Sequence, residues 1–155
     1  RGDCFRMAEK QHRSWTQYEQ LVSDITNQLN PDIDCIVGLS RGGIIPAISI
    51  SHKLNIPMET VNLSLRDGKV SGSAELFKAQ LDNLDKYNNI AVIDDICDSG
   101  KTLHVLDIHL QEQGHSNIKW CALTSKVTAM FKPTIVGEEI KEIDNHKWVV
   151  FPWEE

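Results

Sequence analysis

The sequence predicts an α/β domain with a mainly parallel central sheet flanked by helices. Short apolar runs at 33–39, 90–93 and 118–125 alternate with segments of helical periodicity at 44–54, 74–84 and 101–113, the alternation that strand–helix–strand units produce. Each of these runs stops at a polar or small-residue turn. No repeat, linker or low-complexity stretch breaks the 155 residues, a length suited to a single core.

Taken in order, residues 1–6 (Arg-Gly-Asp-Cys-Phe-Arg) have no periodic pattern and read as a vector-derived leader, with Met7 as the start and 7–155 as one domain. In the segment 14–29, Trp15, Tyr18, Leu21, Val22, Ile25 and Leu29 recur at spacings of three and four, Ser14 with Gln17 forms a capping box, and Pro31 ends the helix. The run 33–39 is a strand, and 44–54 is a helix that tolerates Pro46 in its first turn. A second strand covers 57–65. The polar, glycine-containing stretch 66–73 reads as a loop, followed by a helix at 74–84. The compact run 90–93 is a buried strand, 101–113 a helix closed by Gly114, and 118–125 another strand. The remainder reads as short strands and loops ending in Lys147-Trp148-Val149-Val150-Phe151-Pro152-Trp153.

Composition narrows the function classes. Hydrophobic residues make up 41%, and no run approaches the ~20 apolar residues of a spanning helix, so no membrane role is expected. Sixteen Lys+Arg against 22 Asp+Glu leave a net charge of −6, which argues against broad electrostatic binding of nucleic acid. Cys4, Cys35, Cys97 and Cys121 contain no CxxC pair, and no His pair stands nearby at finger spacing. They read as free thiols of a cytoplasmic protein, not as zinc ligands or disulfides. In that compartment the Arg-Gly-Asp tripeptide is not an adhesion signal. The six histidines, among them His104 and His109, show no ligand or triad spacing and read as structural or surface residues.

In parallel sheets, ligands sit beyond the carboxyl ends of the strands. That directs attention to Ser40-Arg41-Gly42-Gly43, to Asp94 through Thr102, and to Lys126. The second of these runs from a buried strand through Asp94, Asp95 and Asp98 into Ser99-Gly100-Lys101-Thr102 at the start of a helix. Free backbone N–H groups, two hydroxyls and a positive helix terminus make that end a phosphate cradle. It looks like a Walker A loop, but Asp95 stands where that pattern needs glycine. The paired carboxylates suit hydroxyl recognition with Mg²⁺ nearby. Ser40-Arg41-Gly42-Gly43 combines close backbone approach with a cation and reads as a second anion site. Two phosphate sites flanking hydroxyl-binding acids suggest a sugar phosphorylated at both ends.

The segment 92–102 resembles the phosphoribosyl-pyrophosphate signature of the type I phosphoribosyltransferases: hydrophobics, two acids, two residues, Asp, then Ser/Thr-Gly-x-Thr. Ser40-Arg41-Gly42-Gly43-x-x-Pro46 resembles the pyrophosphate loop of the same family. From about Trp15 onward the chain is most similar to the xanthine-guanine branch, through Lys126 and the tail Trp148-Val149-x-x-Pro152-Trp153-Glu154. The resemblance implies the family's fold with a small C-terminal hood, and a Mg²⁺-dependent transfer of ribose 5-phosphate to N9 of a 6-oxopurine. It implies Ser40, Arg41, Gly42 and Gly43 on pyrophosphate, with a peptide before the arginine that can be cis. It also implies Asp94 and Asp95 on ribose and metal, and Ser99, Gly100, Lys101 and Thr102 on the 5-phosphate. Asp98 matches the general base for the purine N7. Lys126 matches the lysine on the exocyclic oxygen, Trp148 the stacking aromatic, and Val149 the main chain that reads the base edge. Glu154 stands where the family has a metal-proximal Asp. Family members are commonly homo-oligomers. The Ser-Tyr pair of the family's closing loop is missing from 62–69, which leaves 66–73 as the candidate loop with unassigned residues. The competing readings are transfer to another base, a nucleotide-sensing RNA-binding regulator on the same fold, and a P-loop hydrolase.

Overall fold

The computed structural model describes residues 9–154; the leader expected at 1–6, Met7 and Cys4 lie outside them. The described chain runs β1 (Glu9–His12), α1 (Trp15–Gln28), β2 (Cys35–Ser40), α2 (Ile44–Leu54), β3 (Met58–Asn62), β4 (Leu65–Arg66), β5 (Lys69–Val70) and α3 (Ala74–Asp82). It continues with β6 (Ile90–Cys97), α4 (Lys101–Glu112), β7 (Ile118–Lys126), β8 (Ile135–Ile140) and β9 (Lys147–Val150), with 3₁₀ turns at Glu142–Asp144 and Pro152–Glu154.

The central sheet has the order β3-β2-β6-β7-β8 and is parallel throughout. Its middle strands are covered on both faces, which is why they read as unbroken apolar runs. Tyr18, Leu21, Val22 and Ile25 of α1, with Ala47 and Ile50 of α2, pack on one face against Ile36, Ile93 and Leu123. Phe77 and Leu81 of α3, with Leu103, Leu106 and Leu110 of α4, pack on the other against Val37, Val92 and Trp120. The capping box is present: Ser14 Oγ accepts the Gln17 N–H, and Gln17 Oε1 accepts the Ser14 N–H. Asn55, at φ 54°, closes α2 in the left-handed region, and Gly114, at φ 93°, ends α4. Among the described residues no helix is long and apolar enough to cross a membrane.

Three elements depart from expectation. The stretch 66–73 is not simply a loop. β4 and β5 form an antiparallel ribbon whose turn, Asp67-Gly68, has positive φ at both residues, as the preferred hairpin turn requires. The hood is not C-terminal alone, since β9 pairs in parallel with β1, from Glu9↔Lys147 to His12↔Val150. β6 runs on to Cys97, past Ile93 where the strand was expected to end; β7 returns to its parallel neighbour β8 through residues 127–134 without a helix, as a remainder of short strands and loops implies.

Candidate active site

The chain enters the sheet at β2, adds β3 on one side, then crosses back to lay β6 on the other. The crevice at such a reversal, beyond the carboxyl ends of the strands, is the ligand-binding position of open α/β sheets. Here β2 and β6 are paired from Cys35↔Ile90 to Gly38↔Ile93 and then separate. β2 continues beside β3 to Ser40↔Asn62, while β6 continues beside β7 to Cys97↔Ser125. A cleft of about 770 Å³ opens there, lined by Ser40, Arg41, Gly42, Asp94, Asp95, Thr102 and Glu154, together with Leu39, Leu63, Ile96 and Trp153. A second groove, between the β4–β5 ribbon and α3, is lined by residues such as Ser64, Ser71, Leu76 and Gln80 and carries no ionisable group.

The first predicted anion loop lines this cavity with Ser40, Arg41 and Gly42, and the second reaches it through Thr102; Gly43, Ser99 and Gly100 are not among its lining residues. In the first, the Ser40–Arg41 peptide is cis, as the resemblance allows, and the turn folds back through Gly43 N–H to Leu39 O at 2.8 Å. A Cβ on Gly42 would stand 2.2–2.5 Å from the Asp95 carboxylate, and one on Gly43 would stand 2.1 Å from Ile93 O. Glycine is needed at both positions because the loop lies directly on β6. In the second loop, Gly100 adopts φ 84°, and a Cβ there would meet Phe131 O at 2.4 Å. Ser99 Oγ accepts the Lys101 N–H at 3.3 Å, and Met130 N–H reaches Ser99 O at 2.8 Å. This tight turn delivers the N-terminus of α4, with Thr102 on the cleft wall, to the site.

The carboxylates continue β6 instead of following it: the ladder to β7 persists through Asp94↔Ala122 and Ile96↔Thr124. Asp95 is only 3% exposed. Its Oδ1 accepts the Ile96 N–H at 2.7 Å, and Asp94 Oδ1 accepts the Asp95 N–H at 2.8 Å. Such charge-assisted bonds to local N–H groups fix the two headgroups. Asp94, Asp95 and Glu154 all line the cleft, yet among the described residues no group of three or more His, Cys, Asp or Glu is placed to hold a metal ion.

The residues assigned to a base stand together beyond β6 and β7, outside the cleft lining. Lys126 Nζ lies 2.8 Å from Asp98 Oδ1 and 5.7 Å from the centre of the Trp148 ring. Trp148 and Val149 are both buried, Val149 with its side chain in the core cluster of α1. Trp148 is therefore a packed wall whose face carries the lysine. Lys101 is exposed on the first turn of α4 and is not part of the cleft lining. Cys97, between Ile96 and Asp98, is buried; burial chiefly, and then the Asp94 and Asp98 charges, push its thiol up, against the Ser125 hydrogen bond. It is therefore a neutral packing group, not a nucleophile.

Trp153, like Leu39, Leu63 and Ile96, lines the cleft without an assigned role in the sequence reading. It stacks on Phe151 at 4.9 Å and meets Tyr18 edge-on at 5.1 Å. The signal for it was the aromatic spacing of the tail, which also fits plain core packing.

Comparison with known proteins bears on the family and the fold. Residues 9–155 match the family described as "Phosphoribosyl transferase domain". A xanthine-guanine phosphoribosyltransferase of Cereibacter sphaeroides is 28% identical, with 92% of this chain and 86% of the relative covered. Another of the same name, from Chromohalobacter salexigens, is 27% identical over 91% and 82%. The crystal structure of a purine phosphoribosyltransferase from Pyrococcus horikoshii is 27% identical, covers 95% of each chain and superposes with a TM-score of 0.74.

Proposed function

The chain belongs to the phosphoribosyl transferase domain family, and on that premise we propose that it transfers ribose 5-phosphate from phosphoribosyl pyrophosphate to N9 of a 6-oxopurine, releasing pyrophosphate. One observation carries the base assignment: Lys126 Nζ and Asp98 Oδ1 present a donor and an acceptor 2.8 Å apart. A 6-oxopurine protonated at N7 offers the complementary edge, an O6 acceptor beside an N7–H donor. Adenine offers an amino donor at that position and no matching acceptor.

In this reading the 5-phosphate lies at the α4 N-terminus, on the amides of 99–102 and the Ser99 and Thr102 hydroxyls. Asp94 and Asp95 accept from the ribose hydroxyls. Arg41, with the Ser40, Gly42 and Gly43 segment, neutralises the pyrophosphate. The cleft's carboxylates do not form a closed cage. This suits Mg²⁺, which is usually held by one or two carboxylates plus substrate phosphates. One or two of Asp94, Asp95 and Glu154 would hold it together with the donor's oxygens, and it would supply neutralisation of the leaving group.

The bond from the anomeric carbon to pyrophosphate oxygen loosens, and its electron pair leaves with pyrophosphate. The N9 lone pair forms the new bond at that carbon. The N7 proton passes to the Asp98 carboxylate, leaving a neutral purine. Lys126 releases Asp98 as it turns to O6, so arrival of the base frees its own proton acceptor. Trp148 backs the base site, and the Val149 main chain reads the base edge. The enzyme is a homo-oligomer of the cytoplasm in the same reading.

The test is pyrophosphate release measured with donor, Mg²⁺ and one base at a time. Turnover with guanine, xanthine or hypoxanthine above that with adenine and uracil supports the proposal; the reverse order overturns it. ATP binding as tight as the ribosyl donor favours a P-loop activity instead.

A further inference from the structure

We propose that Arg13 is a positioning residue for base binding, resting on the reading above. Through Glu138 it sets the hood strand that carries Trp148 and Val149 against the strands that carry Lys126.

The two halves of the base site belong to different sheets. Trp148 and Val149 lie on β9, in the two-stranded sheet with β1, whereas Lys126 ends β7 of the central sheet. Among the described residues no ladder joins the two sheets. Apolar packing of Val149 and Phe151 holds them together, joined by Asn145 Nδ2 donating to Thr128 Oγ1 at 3.1 Å and by Lys126 over the Trp148 ring; the packing itself is non-directional and does not fix the angle of the hood.

Arg13 supplies direction. Its main-chain N–H donates to Val150 O at 2.8 Å, extending the β1–β9 ladder. Its guanidinium Nε and Nη2 both donate to Glu138 Oε1, at 3.1 and 3.0 Å. Glu138 lies on β8 opposite Thr124 of β7, two positions before Lys126. One residue therefore ties the end of the hood strand to the strand pair that leads to the lysine.

The guanidinium side chain is only 13% exposed, the carboxylate 41%. A partly solvated ion pair of this kind adds little to stability, while a forked guanidinium contact holds orientation well. A displacement of about 1 Å at a reacting group can cost on the order of 10²-fold in rate, so a small rotation of the hood is enough to be read in kinetics.

The experiment uses the whole chain and steady-state kinetics in donor and in guanine, with melting temperature beside them. Wild-type turnover on an oxopurine is measured first; its absence overturns the functional reading and this one with it. Arg13→Met keeps the apolar stem and Glu138→Gln keeps the shape. Each is expected to raise the KM for the base about five- to twentyfold and to leave the KM for the donor within about twofold. The charge reversal Arg13→Glu with Glu138→Arg is expected to bring the base KM back to within about threefold of wild type, as a direct pair should. An unchanged base KM in both single variants, a parallel rise of both KM values with a falling melting temperature, or a reversal that fails to recover the base KM would each overturn the proposal.

Discussion

Gly42 and Gly43 are adjacent, yet adding one methyl group to each should produce different defects. The nearest atoms to a Cβ on Gly42 are those of the Asp95 carboxylate, at 2.2–2.5 Å. Ordinary contact begins near 3.4 Å, so the carboxylate must withdraw by about 1 Å. Asp95 is buried and its Oδ1 holds the Ile96 N–H at 2.7 Å. Withdrawal sacrifices that bond, worth roughly 1.5–3 kcal/mol for a charged acceptor. In a chain of this size the loss is equivalent to about 3–12 °C in melting temperature. The headgroup also leaves the position assigned to ribose and metal, so donor binding should weaken about 10–100-fold while the KM for the base stays within about threefold. Gly43 is different: its Cβ meets main chain, Ile93 O at 2.1 Å and Leu39 O at 2.7 Å, and strands do not yield as a side chain does. Gly43→Ala should therefore cost more than about 3 kcal/mol and abolish cooperative folding at physiological temperature. Thermal melts and donor titration calorimetry on both variants test the contrast. Native donor affinity in Gly42→Ala would refute the assignment of Asp95 to the donor site, and equal stability losses in the two would refute the contrast between a yielding side chain and an unyielding strand.

Other consequences are open to measurement. Asp98→Asn should lower kcat about 10²–10⁴-fold, the range of general-base assistance, with donor affinity little changed; full kcat under rate-limiting chemistry removes Asp98 from the base role. Lys126→Ala should raise the KM for oxopurines and narrow their preference over adenine, and an unaltered base preference refutes the O6 contact. Burial pushes the Cys35 and Cys121 thiols up to about 12 from 9.0. Because the folded values lie above the unfolded ones, the associated stability is intact below pH 9 and lost as pH rises from 9 toward 12. Melting temperature should fall across that window, and alkylation of Cys35, Cys97 and Cys121 at pH 8 should follow unfolding; fast native-state labelling of these three refutes their burial.

The parts of the site that were legible in sequence are those whose chemistry is local. The segment Asp94 to Thr102 carries its strand, its acids and its helix start within one stretch, and Ser40-Arg41-Gly42-Gly43 carries its own turn. Strand ends could be named, and the rule that ligands gather beyond them pointed to the cleft that Ser40, Arg41, Gly42 and Thr102 line. β1 was not legible, because Glu9-Lys10-Gln11-His12 has no apolar alternation and its partner β9 stands at the far end of the described chain. β6 was expected to stop at Ile93 because carboxylates read as loop, yet they sit in register beside β7. The Asp67-Gly68 turn was readable by its residue types, but the flanking strands have two residues each, too short for any periodicity. The partnership of Asp98 with Lys126 joins two strand ends 28 positions apart, and the core packing of Trp148 required the fold itself.

The pairing of β1 with β9 has a consequence for the nascent chain. Glu9–His12 are among the first of the described residues to leave the ribosome, but the strand that receives them is made last. At synthesis rates of about 5–20 residues per second they wait roughly 7–30 s for a partner. During that interval both candidate anion loops can already stand on a formed sheet, while β1 waits without the strand that carries Trp148 and Val149. The polar composition of the strand fits that wait: Glu-Lys-Gln-His offers passing chains little apolar surface on which to aggregate.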